Sequence, residues 1–297
     1  VNTVKKAQEI FNELKNKEIK EINIFHARFI QKDRKEKSNE IFSFGQLENK
    51  QSGIWVTTQV VEASLDIDFD ELHTELSDIS GLIQRMGRVY RKRTLEEDKE
   101  NIYVYVGEHY KDISGIGTVI DKEIYEISHK NIIEYDTKAL TEQDKLDLVK
   151  KTYSYEILKN TKYFKKIGDV INSYLYLSDF IYDKSDINLR NIDTVTAIPI
   201  DVYKNNQKEI DELVEKLINI EISNFSEKQK LINKIKDYTL QIERRRFKIV
   251  DENVTYKTIE LSKHLKIYIV NYEYDSLIGL KFNAYETETN NPHERMY

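Results

Sequence analysis

The first 106 residues alternate between short apolar runs and stretches with helical spacing, and this alternation constrains the fold more than any other feature. Helical spacing is clearest from Val4 to Leu14, where apolar residues recur at every third or fourth position. The apolar runs, each of which predicts a strand, are Ile22–Phe25, Ile54–Val56, Leu72–Leu76 and Ile102–Val106. Strands that alternate with helices form parallel sheets, and such sheets bind ligands at the carboxyl ends of their strands. The sequence therefore predicts an α/β fold with a ligand site at such an edge.

Charged side chains are segregated by sign in the segment that follows the second predicted strand. Every charged side chain from Glu62 to Asp78 is acidic, and every one from Arg85 to Arg93 is basic. The whole chain has a formal net charge of −6, so a site for a polyanion must be local. Because arginine binds phosphate through a rigid planar fork, the basic segment predicts contact with a nucleotide or a nucleic acid.

The basic segment also carries a helical pattern. A helix is predicted from Gly81 towards Val89, with Ser80 as its N-cap. An apolar stripe, predicted to pack on the sheet, holds Leu82, Met86 and Val89. A second stripe, which requires the helix to continue past Gly87, holds Gln84, Arg88 and Arg91. On a continuous helix these three side chains would converge on one anion.

Several classes of protein are excluded by composition. The chain has no cysteine, which excludes disulfides and thiolate metal sites and agrees with a reducing cytoplasm. No apolar run is long enough to span a membrane. The phosphate-cradling loop G-x-x-x-x-G-K-[ST] is absent from the 297 residues, as is any His-Asp pair. The sequence D-E-L-H at 70–73 mimics a magnesium box, but it starts a weak strand and we interpret it as an acidic strand entry.

Two segments resemble the motifs of a known enzyme class. T-T-Q-V-V-E-A-S-L-D-I-D at 57–68 resembles motif V of superfamily 2 helicases, and Q-R-M-G-R-V-Y-R at 84–91 resembles motif VI. Together with F-H-A-R-F at 25–29, these forms most resemble the CRISPR-associated helicase–nuclease of type I systems. Proteins of that family unwind and degrade DNA marked by the Cascade complex. The resemblance is close over roughly the first third of the chain and weak beyond it.

The resemblance implies roles for ten side chains. Those implied to contact the nucleic-acid backbone are Asn2, Thr3, His26, Arg28 and Thr58, and of the adjacent threonines we expect Thr58 rather than Thr57 to face outward. Those implied to lie at the nucleotide and the domain cleft are Asp66 and Arg85. The catalytic residues implied near the terminal phosphates are Gln84, Arg88 and Arg91, with Arg91 in the arginine-finger position.

The resemblance also implies a domain order. Residues 1–110 are expected to form the second RecA-like domain, a parallel sheet flanked by helices whose N-terminal strand is truncated at Val1. Residues 111–188 are expected to be a helical linker, and residues 189–297 a small α+β C-terminal domain that closes over the DNA channel. Within it, strands are predicted at Thr194–Tyr203, Tyr238–Ile242 and Leu265–Tyr272, and a helix is predicted after the capping box of Ser226 and Gln229.

The implied function is that of one half of an ATP-dependent single-stranded DNA translocase or helicase in type I CRISPR interference, an antiviral defence. Its cofactor is expected to be ATP with Mg²⁺, shared with a first RecA-like domain outside these residues, and no metal is expected on this chain alone. The expected partners are single-stranded DNA, the missing nuclease and first RecA-like domains, and Cascade, in the cytoplasm and without a membrane. We expect the chain alone to be inactive.

Two alternatives remain open from the sequence. The chain is part of another superfamily 2 DNA or RNA helicase, or it is a non-catalytic binding module with a RecA-like fold. Lys92 and Arg93 are interpreted as solvated surface residues. The same interpretation is preferred over single-stranded DNA binding for three basic runs with aromatic neighbours, Lys150–Lys151, Lys162–Lys166 and Arg244–Lys248.

Overall fold

A computed structural model of the chain describes residues 1–62, 65–95, 99–176, 194–220, 224–244, 254–262 and 265–281. The helices are α1 Val4–Asn16, α2 Gln31–Phe44, α3 Ile79–Met86, α4 Lys122–Ile132, α5 Glu142–Tyr153, α6 Tyr155–Leu158, α7 Lys162–Tyr176, α8 Ile200–Asn205, α9 Gln207–Asn219 and α10 Phe225–Asp237. The strands are β1 Ile22–Phe25, β2 Ile54–Thr57, β3 Leu72–Glu75, β4 Ile102–Tyr105, β5 Thr194–Pro199, β6 Leu240–Glu243, β7 Thr255–Ser262, β8 Leu265–Val270, β9 Tyr274–Asp275 and β10 Gly279–Leu280.

The chain forms two compact units, and each unit collects separate stretches of sequence. Unit 1 comprises Val1–Lys6, Phe44–Gln51 and Val61–Ile192. Unit 2 comprises Ala7–Ser43, Ser52–Val60 and Asp193–Tyr297. The predicted domain boundaries at 110 and 188 stay a prediction.

Unit 1 is built on the parallel pair β3–β4, in which Leu72 lies opposite Ile102 and Glu75 opposite Tyr105. Its core joins the end of β3 and the apolar face of α3 to α4 and α5, and its fully or nearly buried members are Leu76, Ile79, Leu82, Met86, Ile113, Ile120, Tyr125, Ile132 and Leu148. The first helices of the predicted linker therefore share one core with α3.

Unit 2 contains the parallel pair β1–β2 and a mixed four-stranded sheet in the order β6–β5–β8–β7. Strands β5 and β8 run parallel, whereas β6 and β7 pair antiparallel with their neighbours. The core lies against this sheet and includes Ala197, Ile198, Ile210, Ile235, Ile267, Ile269 and Val270, none of which is measurably exposed.

The structure confirms the predicted α/β class, but it arranges the parallel strands differently. In the described residues, β1–β2 and β3–β4 are two separate hydrogen-bonded pairs, whereas the sequence was interpreted as one parallel sheet. Hydrophobic periodicity identifies strands, but it does not say which strands are hydrogen-bonded neighbours.

The helices and strands of the C-terminal part have the predicted types, but their bounds differ from the predicted ones. The strand predicted over Thr194–Tyr203 ends at Pro199, where α8 begins. The helix predicted after Ser226 is α10, but its N-cap is Asn224, whose side chain accepts a hydrogen bond from the N–H of Glu227 at 3.3 Å. The predicted helical linker contains α4–α7 as far as Tyr176, and its remainder lies outside the described residues.

The chain's first residues were predicted to be the tail of a strand, and this prediction is wrong. Helix α1 begins at Val4, and the Thr3 hydroxyl accepts a hydrogen bond from the N–H of Lys6 at 3.3 Å. That bond satisfies one of the free donors at the helix start. Across the described ranges, no helix combines the length and the apolar character needed to cross a membrane.

Candidate functional site

Helix α3 ends before the arginines that were predicted to lie on it. Its last residue is Met86, and the N–H of Arg88 donates to Arg85 O at 3.0 Å in a final tight turn. Gly87 favours this ending because glycine is a poor helix former. Gln84 is therefore exposed on the helix, whereas Arg88 and Arg91 lie in the irregular segment that follows. The predicted stripe of three converging side chains on one helix is wrong.

The acidic and basic segments of the two motifs lie side by side in unit 1. The N–H of Phe69 donates to Arg88 O at 2.9 Å, and the N–H of Tyr90 donates to Phe69 O at 3.1 Å. Phe69 and Val89 form an isolated parallel bridge. This backbone pairing places the carboxylates of one motif next to the guanidinium groups of the other.

The Arg88 side chain stabilises the backbone of the motif V-like segment. Its guanidinium donates to Leu65 O at 2.7 Å and to Glu62 O at 2.6 Å. Burial, together with the nearby charge of Arg91, lowers the pKa of Arg88 below its ordinary value. The side chain therefore holds the backbone of the motif V-like segment rather than projecting from the unit.

Arg91 is in contrast partly exposed and weakly engaged. Its Nε lies 3.4 Å from Asp66 Oδ1, and 42% of the Arg91 side chain and 54% of the Asp66 side chain are exposed. Lys92 Nζ lies 2.8 Å from the other oxygen of Asp66. The hydrogen bond from Lys92 and the charges of Lys92 and Arg91 lower the pKa of Asp66. Because exposed ion pairs of this kind contribute little stability, Arg91 can exchange Asp66 for another anion at small cost.

Asp68 and Arg93 form the structural ion pair that the sequence did not reveal. The Asp68 side chain is 2% exposed and lies 3.0 Å from Arg93 Nη2, and its carboxylate also accepts the backbone N–H groups of Arg91 at 3.2 Å and Lys92 at 3.0 Å. Burial opposes ionisation, but these hydrogen bonds hold the pKa of Asp68 below its usual range. Arg93 also pairs with Asp70 at 2.7 Å. The interpretation of Arg93 as a solvated residue is wrong.

Arg85 lies inside unit 1 with 5% of its side chain exposed. It donates to the Thr74 hydroxyl at 2.5 Å, to Glu75 O at 3.1 Å and to the Ser77 hydroxyl. Its Nε lies 3.4 Å from Glu62, and burial raises the pKa of that carboxyl although Arg85 opposes the change. These contacts give Arg85 a structural role, and its nucleotide contact stays a prediction.

Asn2 is likewise engaged inside unit 1. It is 1% exposed, its backbone N–H donates to Glu75 Oε2 at 2.8 Å, and its amide donates to Leu76 O at 3.0 Å. Thr3 is half-buried and its hydroxyl caps α1. Asn2 thus holds the start of the chain against the end of β3, whereas Thr3 stabilises the start of α1.

The three remaining predicted contacts lie in unit 2, and all are buried. Thr58 is 5% exposed and its N–H donates to Phe25 O at 3.3 Å, whereas Thr57 is half-buried. The expectation that Thr58 is the outward threonine is therefore wrong, because β2 ends at Thr57 and the alternation of faces stops there. Arg28 is 8% exposed. His26 is fully buried, and burial lowers its pKa to about 3, which keeps the ring neutral.

Metal ligands are not grouped in the part of the chain that the structure describes. Those ranges hold no set of three or more histidine and carboxylate side chains close enough to bind an ion.

The fold is of the α/β class, and comparison with known proteins shows which family the motif-bearing region is similar to. Residues 1–94 match the family described as CRISPR-associated nuclease/helicase Cas3, C-terminal. This region is therefore similar to the C-terminal part of the Cas3 family, in agreement with the resemblance that the motifs indicated.

Relatives and solved structures extend this match. The CRISPR-associated nuclease/helicase Cas3 of Methanothermobacter thermautotrophicus is 27% identical over 183 residues, which is 60% of this chain and 21% of the relative. The crystal structure of T. fusca Cas3 with ATP matches with a TM-score of 0.66 at 15% identity, over 95% of this chain and 38% of that chain.

A chain of a CRISPR RNA-guided surveillance complex in a pre-nicking state matches with a TM-score of 0.61 at 15% identity, over 94% of this chain and 40% of that chain. At such identities the structures show the fold alone. The aligned part of this chain amounts to 21–40% of the length of these three proteins.

Proposed function

We propose that this chain is the C-terminal half of an ATP-dependent single-stranded DNA translocase or helicase that acts in type I CRISPR interference. Three findings support the proposal. Residues 1–94 match the Cas3-like C-terminal family, which is described as CRISPR-associated nuclease/helicase. One matching structure, T. fusca Cas3, contains ATP. Another belongs to an RNA-guided surveillance complex, which supports Cascade as a partner.

The observation that carries the proposal is the state of Arg91. Its side chain is partly exposed, and its described ionic partner is the more exposed Asp66 at 3.4 Å. A triphosphate carries more charge than one carboxylate and accepts the bidentate guanidinium geometry. Arg91 and the exposed Gln84 therefore fit contact with the terminal phosphates, and Asp66 is the carboxylate that Arg91 leaves.

Arg88 has a different place in this mechanism. Its Nη atoms are committed to Leu65 O and Glu62 O, so it braces the motif V-like backbone next to Asp66. A phosphate contact by Arg88, as the resemblance implies, would require both bonds to break. We assign the phosphate contact to Arg91 and the bracing role to Arg88.

ATP hydrolysis builds up negative charge on the phosphoryl group that is transferred. A well-placed guanidinium stabilises that charge and is worth about 10³–10⁵ in rate in the systems where it was measured. Mg²⁺ is expected to be held by the phosphates and by the first RecA-like domain. The DNA contacts are assigned to no particular side chain here, since Asn2, His26, Arg28 and Thr58 are buried.

The test is an alanine substitution in the natural protein that contains this chain. Arg91→Ala is expected to lower DNA-stimulated ATP hydrolysis by about 10³-fold or more while leaving DNA affinity within about twofold. Arg91→Lys keeps the charge but loses the planar fork, and is expected to recover little of the rate.

Arg34→Ala is the matched control, because Arg34 is an exposed arginine on α2 outside the motif segments. It should leave hydrolysis unchanged. Hydrolysis that survives Arg91→Ala as well as it survives Arg34→Ala contradicts the assigned role.

A further inference from the structure

A short hairpin near the end of the described chain lies on the segment that follows β1. The hairpin runs from Tyr274 to Leu280 and is called here the strap. Its strands pair antiparallel, with Tyr274 opposite Leu280 and Asp275 opposite Gly279. Leu277 at the turn is 40% exposed, whereas Leu280 is fully buried in the core of unit 2. The strap is thus buried at Leu280 and open to solvent at its turn.

Backbone groups of the strap are bound by side chains and backbone far away in sequence. His26 Nε2 lies 3.0 Å from Ile278 O, a residue 252 positions later in the chain. Gln8 donates to the same oxygen at 2.8 Å and to Leu280 O at 2.9 Å. The N–H of Leu280 donates to Arg28 O at 3.0 Å. These bonds satisfy polar backbone groups that would be costly to bury without partners.

The tautomer of His26 follows from its second ring nitrogen. Nδ1 lies 3.2 Å from the backbone N–H of Arg28 and accepts from it, so the proton must be on Nε2, which donates to Ile278 O. The ring also stacks on Phe29, with centroids 4.6 Å apart. The charges that act on it are those of Arg28 and Lys37, and both oppose protonation.

Gly279 allows the strap to lie close to His26 and Arg28. Its φ of +79° is left-handed, and a Cβ added there would lie 2.7 Å from His26 Cε1 and 2.8 Å from Arg28 O. The second of these atoms is backbone and cannot swing away. A side chain at this position would therefore lift the strap from residues 26–28.

Tyr274 at the other end of the strap binds the start of α2. Its hydroxyl accepts the N–H of Ile30 at 3.2 Å and donates to Asp33 at 2.6 Å. The N–H of Gln31 donates to Thr239 O at 2.8 Å. Free donors at the beginning of α2 are thus satisfied by C-terminal residues, where a helix would ordinarily use a local cap.

We propose that the strap is a conformational clamp that fixes residues 26–30 and, through them, the carboxyl-end edge of the β1–β2 pair. The connection is continuous, because Phe25 precedes the clamped segment directly and its carbonyl accepts the N–H of Thr58 at 3.3 Å. The carboxyl ends of parallel strands are where such folds bind ligands. The clamp therefore makes that edge depend on residues at the other end of the chain, and it does not depend on the proposed ATPase function.

The test compares two glycine variants that share the same backbone conformation. Gly279→Ala introduces the clash described above, whereas Gly117→Ala has a φ of +80° and nothing within 4 Å of the added Cβ. Both alanines are strained by the left-handed conformation, so the difference between them reports the clamp. The readouts are amide hydrogen exchange and the NMR titration of His26 in the full 297-residue chain.

In Gly279→Ala, exchange over residues 26–33 is expected to rise about tenfold or more, and the His26 pKa is expected to move from about 3 towards its ordinary 6.5. Strands β5 and β8 should stay protected. In Gly117→Ala, residues 26–33 and His26 should behave as in the unchanged chain. The clamp is refuted when the two variants are indistinguishable at these positions, or when Gly279→Ala raises exchange equally throughout unit 2.

A second variant covers the case in which Gly279→Ala does not fold. Tyr274→Phe removes only the hydroxyl that bridges Ile30 and Asp33. It is expected to raise exchange at the Ile30 amide and in the first turn of α2, with the sheet unchanged. Unaltered protection of the Ile30 amide in this variant overturns the proposal.

Discussion

The arginines of the basic segment share a residue type but not a role. Arg85 is buried against Glu62, Arg88 braces two carbonyls, Arg93 pairs with Asp68, and Arg91 is open to a new partner. The sequence predicted the chemistry of the segment from residue type and spacing. It did not predict which guanidinium is most exposed, because burial is decided by groups that lie elsewhere, such as Thr74 and Ser77 around Arg85. Part of the charge segregation that suggested phosphate binding serves folding instead.

The buried role of Arg85 predicts a large loss of stability when it is removed. Arg85→Met leaves the Glu62 carboxylate, 15% exposed, without its cationic partner. Leaving a buried charge unpaired costs about 3–5 kcal/mol, so the free energy of unfolding is expected to fall by that amount. Urea denaturation followed by circular dichroism measures the change.

Two further variants separate this explanation from a simple loss of packing. Lys92→Ala, at a partly exposed ion pair, is expected to change the free energy of unfolding by less than about 0.5–1 kcal/mol. The double variant Arg85→Met with Glu62→Gln removes both charges and should recover a substantial part of the loss. No recovery in the double variant would mean that Glu62 is not the source of the cost.

Elements were predicted better in their interiors than at their ends. Strand β1 has the predicted bounds, and β4 lies within the predicted run. Strands of this kind are continuous apolar runs, which are visible in the sequence alone. The first residue of a helix is harder to predict because neighbouring residues compete for the N-cap position. Asp78 and Ser80 are both good capping residues, and the structure uses Asp78, which lengthens α3 by two residues at its start relative to the prediction.

The use of Asp78 as the N-cap of α3 leads to a prediction about stability. The Asp78 carboxylate accepts the N–H of Gly81 at 2.6 Å, and it also carries negative charge at the helix start, where the helix dipole favours it. Asp78→Ala is therefore expected to lower the free energy of unfolding by about 0.5–2 kcal/mol. Ser80→Ala, the matched control, lies inside the first turn and should cost less than about 0.5 kcal/mol. Thermal and urea unfolding of the two variants decide the matter, and equal losses would show that Asp78 is not the functional cap.

At the scale of the molecule, each unit draws on several separate stretches of the chain. Unit 2 takes its parallel pair from residues before 61 and its mixed sheet from residues after 192. Domain boundaries are predicted from a sequence at positions where composition and periodicity change. Such changes do not indicate that the chain leaves a unit and later returns to it. The docking of Gln8 and His26 to Ile278 and Leu280 belongs to this class of contact. The resemblance, in contrast, came from local motifs alone, and residues 1–94 match the Cas3 C-terminal family model in the same region.

The segments present in the 297 residues decide how much ATP hydrolysis is expected of the isolated chain. The 297 residues contain no phosphate-cradling loop, so nothing in the sequence supplies the backbone N–H groups and lysine that hold the β- and γ-phosphates. An arginine accelerates hydrolysis only when those phosphates are already positioned, because its contribution is the stabilisation of charge in the transition state. We expect the purified chain to hydrolyse ATP no faster than buffer with Mg²⁺, with or without single-stranded DNA, and to show no nuclease activity. Circular dichroism must first show that the sample is folded, and the assay should be repeated with Arg91→Ala at the same concentration. Turnover that the unchanged chain shows and Arg91→Ala lacks would mean that this chain positions a triphosphate by itself, and the division of the site between two RecA-like domains would then be wrong.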